Sequence, residues 1–187
     1  MGKGQPKDRA HGRAKGDGRG LRLGAIPVLS HADSEGRATM VDVGEKAVTP
    51  RRAVAEAWVR ISPGLHARIA ENSLAKGNLL DVARIAGIQA AKRTDELIPL
   101  CHSLPLDAVE VRVELERRHV HIRAEARVRA RTGVEMEALT AVAVAALTVI
   151  DMGKAVDKGM VIEGLRLLEK TGGRSGRYVA PARGSVP

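Results

Sequence analysis

Residues 107–130 read DAVEVRVELERRHVHIRAEARVRA. Apolar side chains take alternate places from Val109 to Leu115 and again from Val120 to Ala130. A period of two puts one face of a strand against a core and leaves the other face polar. The two runs meet at a short polar turn around Arg117-Arg118, so the segment is a β-hairpin. Either a two-residue or a four-residue loop keeps both faces in phase. The shorter loop sets Arg112 opposite Arg123 and Glu110 opposite Glu125. The longer one sets Glu114 against Arg123, Arg112 against Glu125 and Glu110 against Arg127. Cross-strand pairs contribute roughly 0.2–1 kcal/mol each and change sign with charge. The longer loop is therefore expected.

Downstream lies TGVEMEALTAVAVAALTVIDMGKAVDKGMVI, residues 132–162, where a helix over about 133–157 is apolar on nearly every side. Such a helix is buried, and its apolar run falls short of the roughly 20 residues a bilayer span needs. MVIEGLRLLEK then reads as a last strand, closed by TGGRSG. Upstream, the run from Ala53 to Ile61 alternates as a strand, after a short extended segment ATMVDVGEK. Ser62-Pro63 starts a helix expected to reach about Leu74, with serine at the cap and proline in the first turn. Asn78 caps a longer helix through AAKRTDEL, with Asp81 three residues on. Its small residues Ala83, Ala86, Gly87, Ala90 and Ala91 predict that another element packs very close. The order is β-α-α-β-β-α-β. Apart from an extra helix after the first strand, this is the ferredoxin-like, split βαβ arrangement. An α+β fold follows, an antiparallel sheet with its helices on one face.

The 187 residues suffice for one domain with a full core. Residues 1–24 carry seven Lys/Arg and two Asp, a balance of +5 within the overall +9. Their glycine content and lack of apolar period predict a disordered tail through residue 37, followed by a domain at 38–176 and a flexible tail at 177–187. The glycines of GRAKGDGRGLRLG match a phosphate loop in composition alone, with no strand before them. Cys101 is the only cysteine, which excludes an internal disulfide and a cysteine-built zinc site. With no signal-peptide pattern, the expected location is the cytoplasm.

Chemistry concentrates at the two ends of the apolar helix. Thr132 and Glu135 fit a capping box. Glu137, Thr140, Val144, Thr148, Asp151, Lys154 and Lys158 follow helical spacing as one stripe. Asp151 and Lys154, three apart, can form an acid/base couple in a partly buried site. Glu137 stands 14 residues from Asp151, about 21 Å along a helix. Active sites that use both must be assembled across a subunit boundary. Lys76-Gly77-Asn78 precedes a helix N-terminus, where free N–H groups favour phosphate. IPLCHSLPL brings Cys101 and His102 into a proline-bounded loop, and KTGGRSGR, flexible and basic, is read as a frayed end in preference to a phosphate-contacting flap.

Together, ARIAGIQAAKRTDELIPLCHSLPLDAVEV, TGVEMEALTAVAVAALTVIDMGKAVDKGMVI and KTGGRSG closely resemble the molybdenum cofactor biosynthesis protein C family, the cyclic pyranopterin monophosphate synthases. The likeness covers about residues 38–176. It implies a ferredoxin-like protein assembled as a homohexamer, a trimer of dimers with sites at the dimer interface. The implied substrate is 3′,8-cyclo-7,8-dihydroguanosine 5′-triphosphate, converted to cyclic pyranopterin monophosphate and pyrophosphate without a redox cofactor or a protein-bound metal. Sequence carries no indication that Mg²⁺ accompanies the triphosphate. By matching position, Asp151 is implied as the catalytic acid/base and Lys154 as its partner. Substrate contacts are implied at Lys76, at Leu100, Cys101 and His102, and at Glu135, Met136 and Glu137, with Lys92 and Arg93 as weaker phosphate candidates. The family loop reads Cys-His-Pro where Ser103 follows His102 here, and an aspartate is common where Asn78 stands. The alternative class is a noncatalytic ferredoxin-like module that binds nucleic acid. Such sheets stack bases on aromatic side chains, and a chain with no Phe, one Trp and one Tyr offers almost none. No specific nucleic acid or membrane partner is therefore expected.

Overall fold

A computed structural model describes Met1, Glu35 and residues 37–182. The expectations for the basic tail fall almost entirely outside the described residues. Within them the elements are β1 (Thr49–Arg60), α1 (Pro63–Ala70), α2 (Leu79–Ala91), α3 (Thr94–Leu97), β2 (Ala108–Leu115), β3 (His119–Ala130), α4 (Glu135–Gly153), β4 (Val161–Thr171) and β5 (Tyr178–Val179). The sheet order is β2-β3-β1-β4-β5, with every neighbouring pair antiparallel. Its first four strands have the ferredoxin-like order, with β1 and β3 in the middle.

Those two strands turn Ala53, Ala55, Ala57 and Val59, and Ile122, Ala124, Ala126 and Val128, toward the helices, all nearly or fully buried. Small side chains at the centre of the sheet let α4 sit low on it through Ala138, Ala141, Val142, Ala145 and Val149. By length and composition α4 is apolar enough to cross a membrane, but 56% of that stretch is buried inside the fold. It is a core helix. α2 packs beside it, and Gly87 makes the approach possible. A Cβ built on Gly87 would lie 2.9 Å from the Ala141 carbonyl oxygen and 3.3 Å from Ala145 Cβ. The run of small residues read from the sequence is this contact.

The helix starts at Ser62 and Asn78 are as expected: Ser62 Oγ accepts from the Leu65 N–H at 3.2 Å and Asn78 Oδ1 from the Asp81 N–H at 3.1 Å. Helix ends differ. α1 stops at Ala70 because Asn72 takes a left-handed conformation (φ 50°) and the Ser73 N–H closes on the Arg68 carbonyl. The helix read through AAKRTDEL breaks in two, since buried Thr94 donates its hydroxyl to the Ala91 carbonyl at 3.1 Å and the one-turn α3 follows. α4 ends at Gly153, four residues early, and Asp157 beyond it accepts the Ser62 N–H at 2.7 Å. At its start Val134, not Thr132, is the cap and no side chain caps it, so the expected capping box does not form. The Glu135 carboxylate instead folds back over Gly133.

The hairpin register is the two-residue one, contrary to expectation: Arg112 faces Arg123 and Glu110 faces Glu125. Pairwise charge within the hairpin does not decide it, because β3 has a second neighbour. Glu125 reaches across to Arg52 of β1 at 2.7 Å, and Arg112 turns along its own strand to Glu110 at 2.6 Å. The turn is also anchored from outside, with the Arg118 carbonyl accepting the Ile61 N–H at 2.9 Å.

The outer sheet face is charged, as read, yet partly closed over. Glu56 is only 6% exposed; Arg166 donates to it at 2.8 and 2.9 Å, and His121, 3.4 Å away, stacks on Trp58. Past Gly176 the chain does not simply trail away: Tyr178 and Val179 pair with Lys170 and Glu169 as an edge strand that the sequence reading did not include.

Candidate active site

At the C-terminal end of α4, Asp151 and Lys154 lie one turn apart and their side chains meet, Lys154 Nζ to Asp151 Oδ1 at 2.7 Å. The loop before α2 comes to the same place. Gly77 turns it with φ +89°, a conformation favoured by glycine, and Lys76 reaches α4. Its ammonium donates to Asp151 Oδ2 at 2.7 Å and to the Asp151 carbonyl at 3.0 Å. That carbonyl belongs to the negative end of the α4 dipole, which favours a cation. Residue spacing alone gives Lys76 as a separate phosphate candidate, and only the family resemblance puts it in the same site as the aspartate–lysine pair; the fold brings all three side chains into contact.

Two ammonium donors, Lys154 first and then Lys76, hold the Asp151 carboxyl down to about 2. The aspartate is thus an anion at neutral pH, held between the two lysine side chains. All three side chains are at least half exposed in the single chain.

The other end of α4 has the opposite character. Glu137 is 4% exposed, and burial, reinforced by Glu135 and Asp95, pushes its carboxyl up to about 7. This carboxyl can change charge near neutrality. Cys101 lies in the same field, its thiol pushed up by burial first and then by Glu137 and Asp95. Both effects disfavour the thiolate form of Cys101. Leu100 and His102 flank it, both half-buried, while Met136 at the helix start is exposed. Ser103, at the place of the expected proline, ties the loop by donating its hydroxyl to Asp95. Lys92 and Arg93 sit exposed just past α2.

The two clusters stay apart within one chain. Glu137 and Asp151 are 14 residues apart on one straight element, about 21 Å. On the outer side of the helices Val82, Ile85 and Leu147 are 42%, 49% and 56% exposed, alongside the exposed Asp81 and Arg84 of α2. Among the described residues no group of three His, Cys, Asp or Glu converges as metal ligands.

Three residues near the Glu135 end were not singled out from the sequence, Lys170 entering only as part of the KTGGRSGR segment. Arg51 donates to the Ala130 and Arg131 carbonyls and presses its guanidinium on Gly173. Lys170 and Tyr178 share an open cleft of about 460 Å³ with Glu135. The available signal was Gly172-Gly173, since paired glycines mark a close backbone approach. A Cβ on Gly172 would fall 2.2 Å from the Pro50 carbonyl oxygen.

The MoaC family model matches residues 40–173, a span that contains both clusters and all four principal strands. That match covers most of the chain and agrees with the ferredoxin-like sheet. Membership implies a part in molybdenum cofactor biosynthesis. The chain belongs to the MoaC family.

Proposed function

We propose that the protein is a cyclic pyranopterin monophosphate synthase, a lyase that rearranges 3′,8-cyclo-7,8-dihydroguanosine 5′-triphosphate and releases pyrophosphate. The carrying observation is the Lys76–Asp151–Lys154 cluster, one carboxylate bridging two ammonium groups within 2.7 Å. Rebuilding the guanine-derived ring and attacking the α-phosphorus with an internal oxygen requires several proton transfers. Lys154 and Asp151 form the acid/base couple, Lys154 supplying the proton while the Asp151 anion takes one up once a lysine has given its own away. Lys76 adds charge for the triphosphate, and Glu137 as a carboxylate accepts ring N–H groups, with Glu135, Met136 and the Leu100–His102 loop completing the substrate contacts.

Neither cluster is a full site alone. A second chain laid two-fold and antiparallel against α4, covering the exposed Leu147 and the neighbouring Val82 and Ile85 of α2, would bring one chain's Asp151 end to the other's Glu137 end. It would also shut water away from the exposed lysines, which strengthens every charge interaction there. A homodimer of this kind, three to a hexamer in the cytoplasm, is the assembly we propose.

Incubating the purified protein with the cyclised GTP intermediate should yield pyrophosphate and pterin product in equal amounts. Absence of both from the folded oligomer would remove this reading. The nucleic-acid alternative is weakened further by Trp58, which is 8% exposed and stacked on His121 rather than open to a base.

A further inference from the structure

The cleft beside Glu135 contains a wall that lies past the matched family span. Tyr178, the chain's only tyrosine, is 44% exposed and lines it together with Glu135, Arg166, Lys170 and Pro181. The segment carrying it is well fastened. Tyr178 pairs with Lys170 in the sheet, the Ala180 N–H donates to the Leu168 carbonyl at 2.7 Å, and Arg166 donates to the Pro181 carbonyl at 3.0 Å. Arg177 adds an ion pair to Glu169 at 3.0 Å.

The lining groups are not equally free to meet a ligand. Arg166 is already committed to Glu56. Lys170 meets the Ser175 hydroxyl, with no carboxylate partner among the described residues. Glu135 lines the same cleft, its carboxylate lying over Gly133 with no ion pair among the described residues. What remains is one carboxylate, one ammonium and one aromatic ring around a single opening. A carboxylate accepts heterocyclic N–H groups, an ammonium attracts an oxyanion, and an aromatic face stacks on a planar ring whatever its substituents.

We propose that Tyr178 is a ring-binding residue, its phenol stacking on the planar heterocycle of a nucleotide-derived substrate whose N–H groups Glu135 accepts and whose anionic part Lys170 attracts. This rests on the proposed synthase reading for the substrate's identity, and on the cleft for its place.

Steady-state rates with the cyclised GTP intermediate test it in the full-length oligomer. Tyr178→Ala should raise KM about tenfold with kcat changed less than about threefold, as expected for a stacking contact. Tyr178→Phe should restore KM. Because alanine can loosen the edge strand, Tyr178→Leu, similar in bulk but not aromatic, is measured as well and should also raise KM. A second arm avoids turnover: equilibrium dialysis of the same intermediate against Lys154→Ala protein, with and without Tyr178→Ala. An unchanged dissociation constant and KM in folded Tyr178→Leu and Tyr178→Ala would overturn the proposal, as would a Phe variant as impaired as the Ala one. Wild-type protein that binds the intermediate through Tyr178 yet forms no product would instead count against the synthase reading alone.

Discussion

Lys76 and Asp151 are 75 residues apart in the chain, yet their side chains meet at 2.7 Å. This contact joins the N-terminal approach of α2 to the C-terminal end of α4, and the remaining carboxylate oxygen of Asp151 is taken by Lys154. One anion therefore orients two cations that no local pattern places together.

Asp151→Asn and Lys154→Ala should each lower kcat by about 10²-fold or more, the usual loss for a missing acid/base group. Neither side chain belongs to the hydrophobic core, so thermal unfolding should barely move in either variant. Turnover near the wild-type rate in either one would end its assignment to the chemistry.

Glu137 predicts a pH-dependent stability. Its carboxyl lies at about 7 in the fold against 4.5 when unperturbed, so the native state holds the proton more tightly between those values. Below about pH 4.5 the burial cost of its charge is absent; it grows as pH rises and is complete above about 7. Glu137→Gln should thus change stability little at pH 4 and raise it by on the order of 2–3 kcal/mol at pH 8. Equal denaturation midpoints for the two proteins at pH 8 would show that the carboxyl is not buried as described.

Gly87 tests the helix contact. Alanine is the better helix former by about 1 kcal/mol, but its Cβ would meet the Ala141 carbonyl oxygen at 2.9 Å and Val111 Cγ1 at 3.2 Å. Overpacking of this kind costs roughly 1–3 kcal/mol. Gly87→Ala should come out destabilised in urea, and a more stable variant would mean α2 and α4 lie farther apart.

Gly172 tests the β4–β5 turn. It has φ +96° and no room for a Cβ beside Pro50. Gly172→Ala should cost about 1–3 kcal/mol and raise KM as well, because the turn carries the Lys170 and Tyr178 wall. A rise in KM without any loss of stability would separate the two effects and place the strain elsewhere.

Local chemistry in the sequence determined much of this molecule. Strand alternation in 109–130, the caps Ser62 and Asn78, and the small residues around Gly87 depend on neighbours a few positions away, and each is found where the pattern puts it. The spread of Glu137 and Asp151 along one helix likewise follows from helical rise alone. What depends on distant partners was settled by the tertiary structure. The hairpin took the like-charged register because Arg52 on a third strand pairs with Glu125. Lys76 joined Asp151, Glu137 was buried to a near-neutral titration, and Tyr178 became part of a sheet. Periodicity reports which way a residue faces; only packing brings the other groups into reach, and charges and carboxyls respond to those groups.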